Sequence, residues 1–376
     1  MLANMVAPYY LITASLVGIA CAGLVPRANV PSANGFPQPD KHESLTIAQQ
    51  AGGLLPNAPP PKTLGNGSIA ALQLIAFNEL FETALFNSLI NNITSNATGY
   101  NDTPDGALEA LEAVRAQEEQ HALAAIGTLK NTGAFAPVPC RYQFPTAQNF
   151  TSAIALAETV TAVVLGVLQE ANVFFSQDRA PDLVRLTSSI IGQEGEQTGY
   201  YRRLLGLVPS ESPFLTYVPA SYAFSALQLF VVNGSCNYTL SKVGNLTIFP
   251  PIATNGGPVA LIPPKNQTLS FQTNLTDSKA AQQYVGKNTS SLYFTYTTGQ
   301  QLPFSVPLQN ASWSGSVLSF RADFPYEKHV MHGFSHGALT VGGNFTNATT
   351  QANATLAAPA VIQVNNSIPT NSTMGM

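Results

Sequence analysis

The sequence predicts an α+β protein of more than one domain, in which a four-helix bundle precedes a small antiparallel β-sandwich-like domain. Three observations lead to this prediction. The chain has 376 residues, which is long for a single simple core. Four stretches between residues 68 and 206 are rich in Ala, Leu, Glu and Gln and carry apolar residues at helical spacing. Beyond residue 209, short β-branched and aromatic runs alternate with turn residues.

The composition limits the classes of protein to consider. The chain is 45% hydrophobic but only 10% charged, where a typical soluble domain carries about 25% charged residues. Because the formal net charge is −4 and no basic cluster is visible, we expect no nucleic-acid partner. Asn, Ser, Thr, Gly and Pro replace the missing charges, which favours a location outside the cytoplasm.

The N-terminus has the features of a signal peptide. Residues 6–22 are apolar and uncharged and end in the small-residue triplet Ala20-Cys21-Ala22. This run is shorter than the roughly 20 residues of a membrane span, and its ending suits signal peptidase. We therefore predict a signal peptide over residues 1–22, secretion to the extracellular space or cell wall, and no membrane partner after cleavage. The alternative is a short N-terminal membrane anchor, since no Lys or Arg precedes the apolar run.

Residues 23–65 form the next segment, which contains eight prolines and little periodicity. We predict an extended or disordered leader here.

Four helices are predicted for the bundle, over residues 66–208. Their approximate bounds are 68–90, 104–130, 145–177 and 181–205, each set by Pro, Asn or Gly residues at the ends. The short connections within the first pair and within the second pair favour two antiparallel hairpins. The Pro-containing connector over residues 133–145 is long enough to cross the end of a bundle. Two hairpins joined by one crossover are the ferritin-like arrangement of four helices.

Six short strands are predicted for the β-rich domain, over residues 209–343. They cover residues 227–232, 246–249, 259–262, 292–296, 316–320 and 338–341. Strands without intervening helices favour a small antiparallel sandwich. Residues 344–376 carry five glycosylation sequons and few large apolar groups, so we expect a glycosylated disordered tail.

Seventeen Asn-x-Ser/Thr sequons agree with an exported protein. Their asparagines are Asn66, Asn92, Asn96, Asn101, Asn149, Asn233, Asn237, Asn245, Asn266, Asn274, Asn288, Asn310, Asn344, Asn347, Asn353, Asn365 and Asn371. In a chain this poor in charge, N-linked glycans would provide the soluble coat. Signal cleavage would leave two cysteines, Cys140 and Cys236, which pair most simply in an oxidising compartment. Two free buried thiols are the alternative.

Acidic residues within the helices form the candidate metal site. One Glu from each of two helices, with Glu-x-x-His from each of the other two, is the ligand pattern of a di-iron carboxylate bundle. The candidate ligands are Glu79, Glu118, His121, Glu158, Glu194 and Gln197. Carboxylates that converge inside an apolar bundle need a cation to compensate their charge, and imidazole suits Fe, Mn or Zn.

Gln197 occupies the position of the second histidine, three residues after Glu194. An amide oxygen is a weaker ligand than imidazole, so the second metal position and any two-electron oxygen chemistry are doubtful. Two alternatives stay open: the polar residues satisfy one another by hydrogen bonds in a degenerate site, or the acids lie on the surface.

Several segments resemble a known family. They are Asn78-Glu79-Leu80-Phe81-Glu82, Glu118-Glu119-Gln120-His121, Cys140-Arg141-Tyr142-Gln143-Phe144-Pro145, Ser189-Ile190-Ile191-Gly192-Gln193-Glu194 and Phe230-Val231-Val232-Asn233-Gly234-Ser235-Cys236. Over residues 65–240 the chain resembles the secreted fungal ferritin-like proteins of stress response and late sexual development. The resemblance implies a ferritin-like fold, secretion, and expression under starvation, stress or during development. It implies no defined reaction.

A second cluster consists of His329, His332 and His336, with Glu327 beside them. Histidines on a β-turn can bind Zn or Cu, but this spacing matches no established site. We therefore favour histidines of the turn and sheet surface. The sequence contains no signature of a serine hydrolase, a P-loop or a zinc protease. We therefore predict no catalytic residue.

The predicted function is that of a secreted, N-glycosylated ferritin-like protein, associated with stress or development, that binds one Fe, Mn or Zn ion in its bundle. The alternative is a non-catalytic extracellular or cell-wall glycoprotein with a degenerate metal site. Its β domain would contact a cell-wall polymer or another extracellular protein.

Overall fold

The computed structural model describes residues 32–144 and 149–364. Its helices are α1 (Lys41–Ala51), α2 (Asn66–Thr94), α3 (Ala107–Thr132), α4 (Phe150–Gln177), α5 (Pro181–Leu204), α6 (Ala220–Leu227), α7 (Tyr326–His329) and α8 (Ala348–Asn353). Its strands are β1 (Ile252–Thr254), β2 (Val259–Ile262), β3 (Gln267–Asn274), β4 (Leu292–Thr298), β5 (Phe304–Pro307), β6 (Gln309–Ser314), β7 (Val317–Phe324), β8 (Gly333–Val341) and β9 (Thr355–Val364). A helical part followed by β-sheets confirms the predicted α+β fold class. The predicted signal peptide, residues 1–22, lies outside the described residues.

Helices α2 to α5 form a four-helix bundle of two hairpins, with α2 packed on α3 and α4 on α5. Gly133 caps the C-terminus of α3 in the left-handed conformation, with a φ of 72°, and its N–H donates to the Lys130 carbonyl. Pro181 begins α5, where its missing N–H costs nothing. The predicted start of the third helix at residue 145 was wrong, because the Asn149 side chain caps a helix that begins at Phe150. Residues 145–148 lie outside the described part.

Helices α2 and α4 are the central apolar elements of the bundle. Both are long and apolar enough to cross a membrane, with mean hydropathies of 1.4 and 1.8 over 18 residues. However, 89% and 78% of these windows are buried inside the protein. A helix that is apolar on nearly every side belongs in a core or a membrane, and here the other elements cover it. The prediction of no membrane partner remains a prediction.

The leader contains a helix, so the prediction of an extended or disordered segment over residues 23–65 was wrong for Lys41–Ala51. Helix α1 starts with a capping box in which Asp40 accepts the N–H of Glu43, and the Glu43 side chain accepts the N–H of Asp40. Ile47 and Ala48 are buried, and α1 packs on α3. The prolines outside α1 obscured this short amphipathic segment in the sequence.

The β region contains two sheets that face each other. One has the strand order β1-β3-β7-β6 and the other β2-β9-β8-β4-β5. Phe271 and Phe320 from the first sheet meet Phe294 from the second, with ring centroids 4.0 and 5.6 Å away. All pairs are antiparallel except β2 with β9. This arrangement is the predicted sandwich.

Two predicted strands and the predicted tail need correction. Residues 227–232 form the end of α6 and turns with one isolated bridge, and residues 246–249 form no strand. The disorder predicted for residues 344–376 was wrong for α8 and β9, because β9 lies between β2 and β8 and all ten of its residues are buried. Its small residues Ala357, Ala358 and Ala360 fill a sheet buried on both faces. Residues 365–376 lie outside the described part.

The bundle and the β region share one core across the predicted boundary at residue 208. Tyr222 and Phe224 of α6 pack in the same apolar cluster as the bundle helices and Val361 of β9. Near this junction a disulfide links Cys140 to Cys236, as predicted. The β region therefore packs directly against the bundle.

Candidate metal centre

Four of the predicted ligands meet inside the bundle. Glu79, Glu118, His121 and Glu194 each offer one ligand atom, and these atoms lie within 4.8 Å of one another. The three glutamates are almost completely buried, and the His121 side chain is 12% exposed. The group therefore confirms that acids from separate helices converge in the core.

Helix geometry explains the convergence. Glu79 lies on α2, Glu194 on α5, and Glu118 and His121 lie three residues apart on one face of α3. The Nδ1 atom of His121 lies 3.0 Å from Glu118 Oε2, 3.7 Å from Glu79 Oε2 and 3.8 Å from Glu194 Oε1. One imidazole nitrogen thus faces three carboxylates.

Two of these carboxylates have no hydrogen-bond donor in the described structure. Both oxygens of Glu79 and both of Glu194 are buried and accept no hydrogen bond. A buried polar group normally has a partner, and a charge left without one is costly. These four oxygens fit the prediction of a cation better than the alternative of residues that satisfy one another.

The Glu82 carboxylate also lies at this site, beside Glu79, although the sequence did not predict it as a ligand. It is buried on α2, its Oε2 accepts from Asn78 at 2.7 Å, and its Oε1 lies 3.4 Å from the Thr161 hydroxyl of α4. Its position three residues after Glu79, on the same helical face, was a signal that could have identified it.

The pKa values of the group reflect burial and mutual repulsion. Burial and then the Glu118 and Glu82 carboxylates raise the pKa of Glu79 well above its ordinary value. The pKa values of Glu82 and Glu194 are raised for the same reasons, with burial as the largest cause. Burial lowers the pKa of His121, but the neighbouring carboxylates outweigh it and the pKa is raised. A bound dication would relieve this repulsion.

Gln197 lies next to the group but does not present its oxygen to it. Its Nε2 donates to Glu118 Oε1 at 2.7 Å, and its Oε1 accepts from the Tyr201 hydroxyl at 3.4 Å. The side chain therefore positions Glu118 rather than providing a ligand in this arrangement. The expected weakness of a second metal position agrees with this geometry.

Glu158 was predicted as a ligand of α4, but the structure places it in a different network. Its Oε1 accepts from Arg202 Nη1 at 2.8 Å, and its Oε2 accepts from Gln363 of β9 at 2.9 Å. Arg202 also lies 3.5 Å from Glu211. Burial, and then the Glu211 carboxylate, raise the pKa of Glu158 to about 7 against the effect of Arg202. Glu158 thus joins the bundle to the sandwich, and the α4 residue that contacts the site is Thr161, through Glu82.

The donor set fits a divalent transition ion. Carboxylate oxygens and one imidazole nitrogen suit Fe, Mn or Zn, and the buried oxygens without donors provide the compensating negative charge. Glu79, Glu118, His121 and Glu194 would hold the ion, with Glu82 at its edge. When bound, such an ion supplies Lewis acidity and, if it is Fe or Mn, redox capacity.

The second histidine cluster forms no such group in the described residues. The His329 ring stacks on Phe304, with centroids 3.6 Å apart. His332 lies 2.8 Å from a tyrosine hydroxyl. His336 is buried within β8 and donates to the Tyr217 carbonyl at 2.8 Å, and burial lowers its pKa to about 4. Each of the three has a partner of its own, but the predicted surface position was wrong for His336, which is completely buried in the sheet.

The sequon asparagines lie at the surface. Of the fifteen in the described residues, fourteen are exposed and Asn92 is half-buried. Asn365 and Asn371 lie outside the described part. Accessibility is necessary for glycosylation but does not test it, so N-glycosylation stays a prediction.

The sequence of the helical part agrees with this assignment. No curated protein matches the chain. Residues 68–207 match the family model of the ferritin-like domain, a stretch that spans α2 to α5 and every carboxylate of the group. Residues 68–207 are therefore a ferritin-like domain with a glutamate and histidine group that can hold a metal ion.

Proposed function

We propose that this protein is a secreted, N-glycosylated metal-binding protein whose ferritin-like domain holds one Fe, Mn or Zn ion. The observation that carries the metal proposal is the set of four carboxylate oxygens of Glu79 and Glu194, which are buried beside His121 without a hydrogen-bond donor. Carboxylates that are buried without a hydrogen-bond donor destabilise a fold, so apolar residues would serve a purely structural core better at these positions.

One ion, rather than a pair, follows from the ligands present. A di-metal centre of this kind uses an acid from each of four helices and two imidazoles. Here α4 contributes Thr161, α5 contributes Gln197 in place of a histidine, and His121 is the one imidazole of the group. No reaction is assigned, and two-electron oxygen chemistry is disfavoured for the same reason.

Secretion and glycosylation are supported by the sequence and by the positions of the sequons. The apolar N-terminus, the exposed sequon asparagines and the Cys140–Cys236 disulfide all suit an oxidising, extracellular compartment. An association with stress or development rests on the family resemblance alone. N-terminal sequencing of the exported protein should start at Gly23, and enzymatic removal of N-glycans should lower its mass.

The metal proposal is tested by elemental analysis of the exported protein. We expect about one Fe, Mn or Zn per chain, and no bound metal after Glu118→Ala, which removes a ligand that contacts His121. Glu119→Gln is the matched control, because Glu119 is the next residue, is equally buried, and accepts from Asn34 instead of facing the group. Metal content at background in the wild-type protein, or an equal loss in both variants, would contradict the proposal.

The alternative is a non-catalytic extracellular or cell-wall glycoprotein, in which the bundle is a scaffold and the β region contacts a wall polymer or a protein. The ion pair of Glu158 with Arg202 favours it, because a buried glutamate of α4 serves a structural contact and provides no metal ligand. Metal-free wild-type protein whose stability is unaffected by Glu118→Ala would favour this alternative.

A further inference from the structure

A cavity of about 270 Å³ lies beside His121, between the end of α1, helix α3 and helix α5. Its polar lining consists mainly of Gln117, Gln120 and Gln193, and residues 51–56 form one wall. It has room for several water molecules at about 30 Å³ each. Because His121 belongs both to this cavity and to the ligand group, the cavity lies between solvent and the metal centre.

Two amide oxygens of the cavity lining have no donor. The Oε1 atoms of Gln120 and Gln193 are buried and accept no hydrogen bond. No Asp, Glu, Lys or Arg lines the cavity. As the side chains stand, both oxygens are shielded from solvent, so they meet a ligand in the cavity when the Gln120 and Gln193 side chains rotate toward it. Amide oxygens are among the ordinary ligands of a hydrated divalent cation.

A hydrogen-bonded chain sets the orientation of the Gln117, Gln193 and Gln197 amides. Gln117 Oε1 accepts from Gln193 Nε2 at 2.8 Å and from Gln197 Nε2 at 3.2 Å. Gln197 Nε2 also donates to Glu118 Oε1 at 2.7 Å. Gln193 Nε2 donates one of its two N–H groups to Gln117, and the Gln193 Oε1 atom has no donor in the described structure. The chain of amides therefore runs from the cavity to a ligand of the metal centre.

We propose that this cavity is the entry site of the metal ion, where Gln120 and Gln193 hold the hydrated cation before it passes His121 to the carboxylates. The inference rests on the proposed metal binding. No sequon lies in α1, in residues 51–56, in α3 or in α5, so a glycan coat leaves the elements around the mouth free.

The test follows Mn²⁺ uptake by metal-free protein through the loss of the free-ion EPR signal in freeze-quenched samples, with bound manganese at equilibrium measured by elemental analysis. Gln120→Leu removes one acceptor at nearly constant volume. Ser189→Trp narrows the cavity, because Ser189 is an exposed residue of its lining. Ser188→Trp is the matched control, since Ser188 lies outside the cavity and faces Asn172 of α4.

We expect Gln120→Leu and Ser189→Trp to slow Mn²⁺ uptake at least tenfold, with the final manganese content unchanged and with the wild-type rate in Ser188→Trp. Uptake at the wild-type rate in both cavity variants would overturn the entry site while leaving metal binding intact. Loss of bound manganese at equilibrium in Gln120→Leu would also overturn it, because Gln120 would then be a ligand of the centre. Failure of the wild-type protein to bind Mn²⁺, Fe²⁺ or Zn²⁺ would instead refute the proposed function.

Discussion

Replacing Glu79 by leucine should have opposite effects on the metal-free and the metal-bound protein. Glu79 is completely buried on α2, and neither carboxylate oxygen accepts a hydrogen bond. Leucine has a similar volume and at least equal helix propensity. In the metal-free protein the change therefore removes an unfavourable buried group, and in the metal-bound protein it removes a ligand.

The magnitudes follow from these two roles. Leaving a buried polar group without a partner costs about 1–3 kcal/mol, so Glu79→Leu should raise the free energy of unfolding of the metal-free protein by about that amount. At a metal concentration 100 times Kd, a bound ion stabilises the wild-type fold by about 2.7 kcal/mol. The variant should lose most of this increment, so that the metal no longer changes its stability.

Urea unfolding with and without Mn²⁺, Fe²⁺ or Zn²⁺ measures both effects. Glu119→Leu is the matched control, because Glu119 is also buried but accepts from Asn34 at 2.7 Å and lies 3.9 Å from Arg115. Its loss should destabilise the metal-free protein by about 1–3 kcal/mol, because two partners lose their acceptor. If Glu79→Leu destabilised the metal-free protein as much as Glu119→Leu, the view of Glu79 as a ligand without a hydrogen-bond donor would be refuted.

Three further predictions address the network, the disulfide and the missing ligands. Because the pKa of Glu158 is raised to about 7 from its ordinary 4.5, the folded protein retains a proton that the unfolded chain releases, and the free energy of unfolding falls as pH rises between these values. Glu158→Gln should remove this contribution, which lowers the free energy of unfolding by about 3 kcal/mol between the two pKa values, as measured in urea titrations across that pH range. An unchanged pH dependence would contradict the assignment. Cys140 and Cys236 are 96 residues apart, so reduction of their disulfide should lower the free energy of unfolding by about 2–4 kcal/mol, as measured in urea with and without reductant. Equal stability with and without reductant would contradict this prediction. Gln197→His alone should leave one ion per chain by elemental analysis, since α4 presents Thr161 rather than an acid; a second ion in this variant would show that the pair is complete without α4.

The helical spacing in the sequence was sufficient for most of the metal group. Glu118 and His121 had to share a face because they are three residues apart on a helix, and the same rule applies to Glu79 and the overlooked Glu82. Spacing could not assign Glu158, because the rotation of α4 about its axis depends on its packing against β8 and β9. That packing brings Arg202 and Gln363 to the Glu158 carboxylate, and the sequence has no local sign of these distant partners.

The sequence alone determined the number and order of the bundle helices and the β-rich region after them, because helix periodicity, breakers and loop lengths are local properties of the chain. Only the tertiary structure decided that α1 and β9 are ordered parts of the fold, that Thr161 rather than Glu158 contacts the site, through Glu82, and that a glutamine-lined cavity lies beside His121. Each of these depends on contacts between residues far apart in the chain, such as those of β9 with β8 and of α1 with α3, and the free energy of such burial is set by the partner surface rather than by the segment itself.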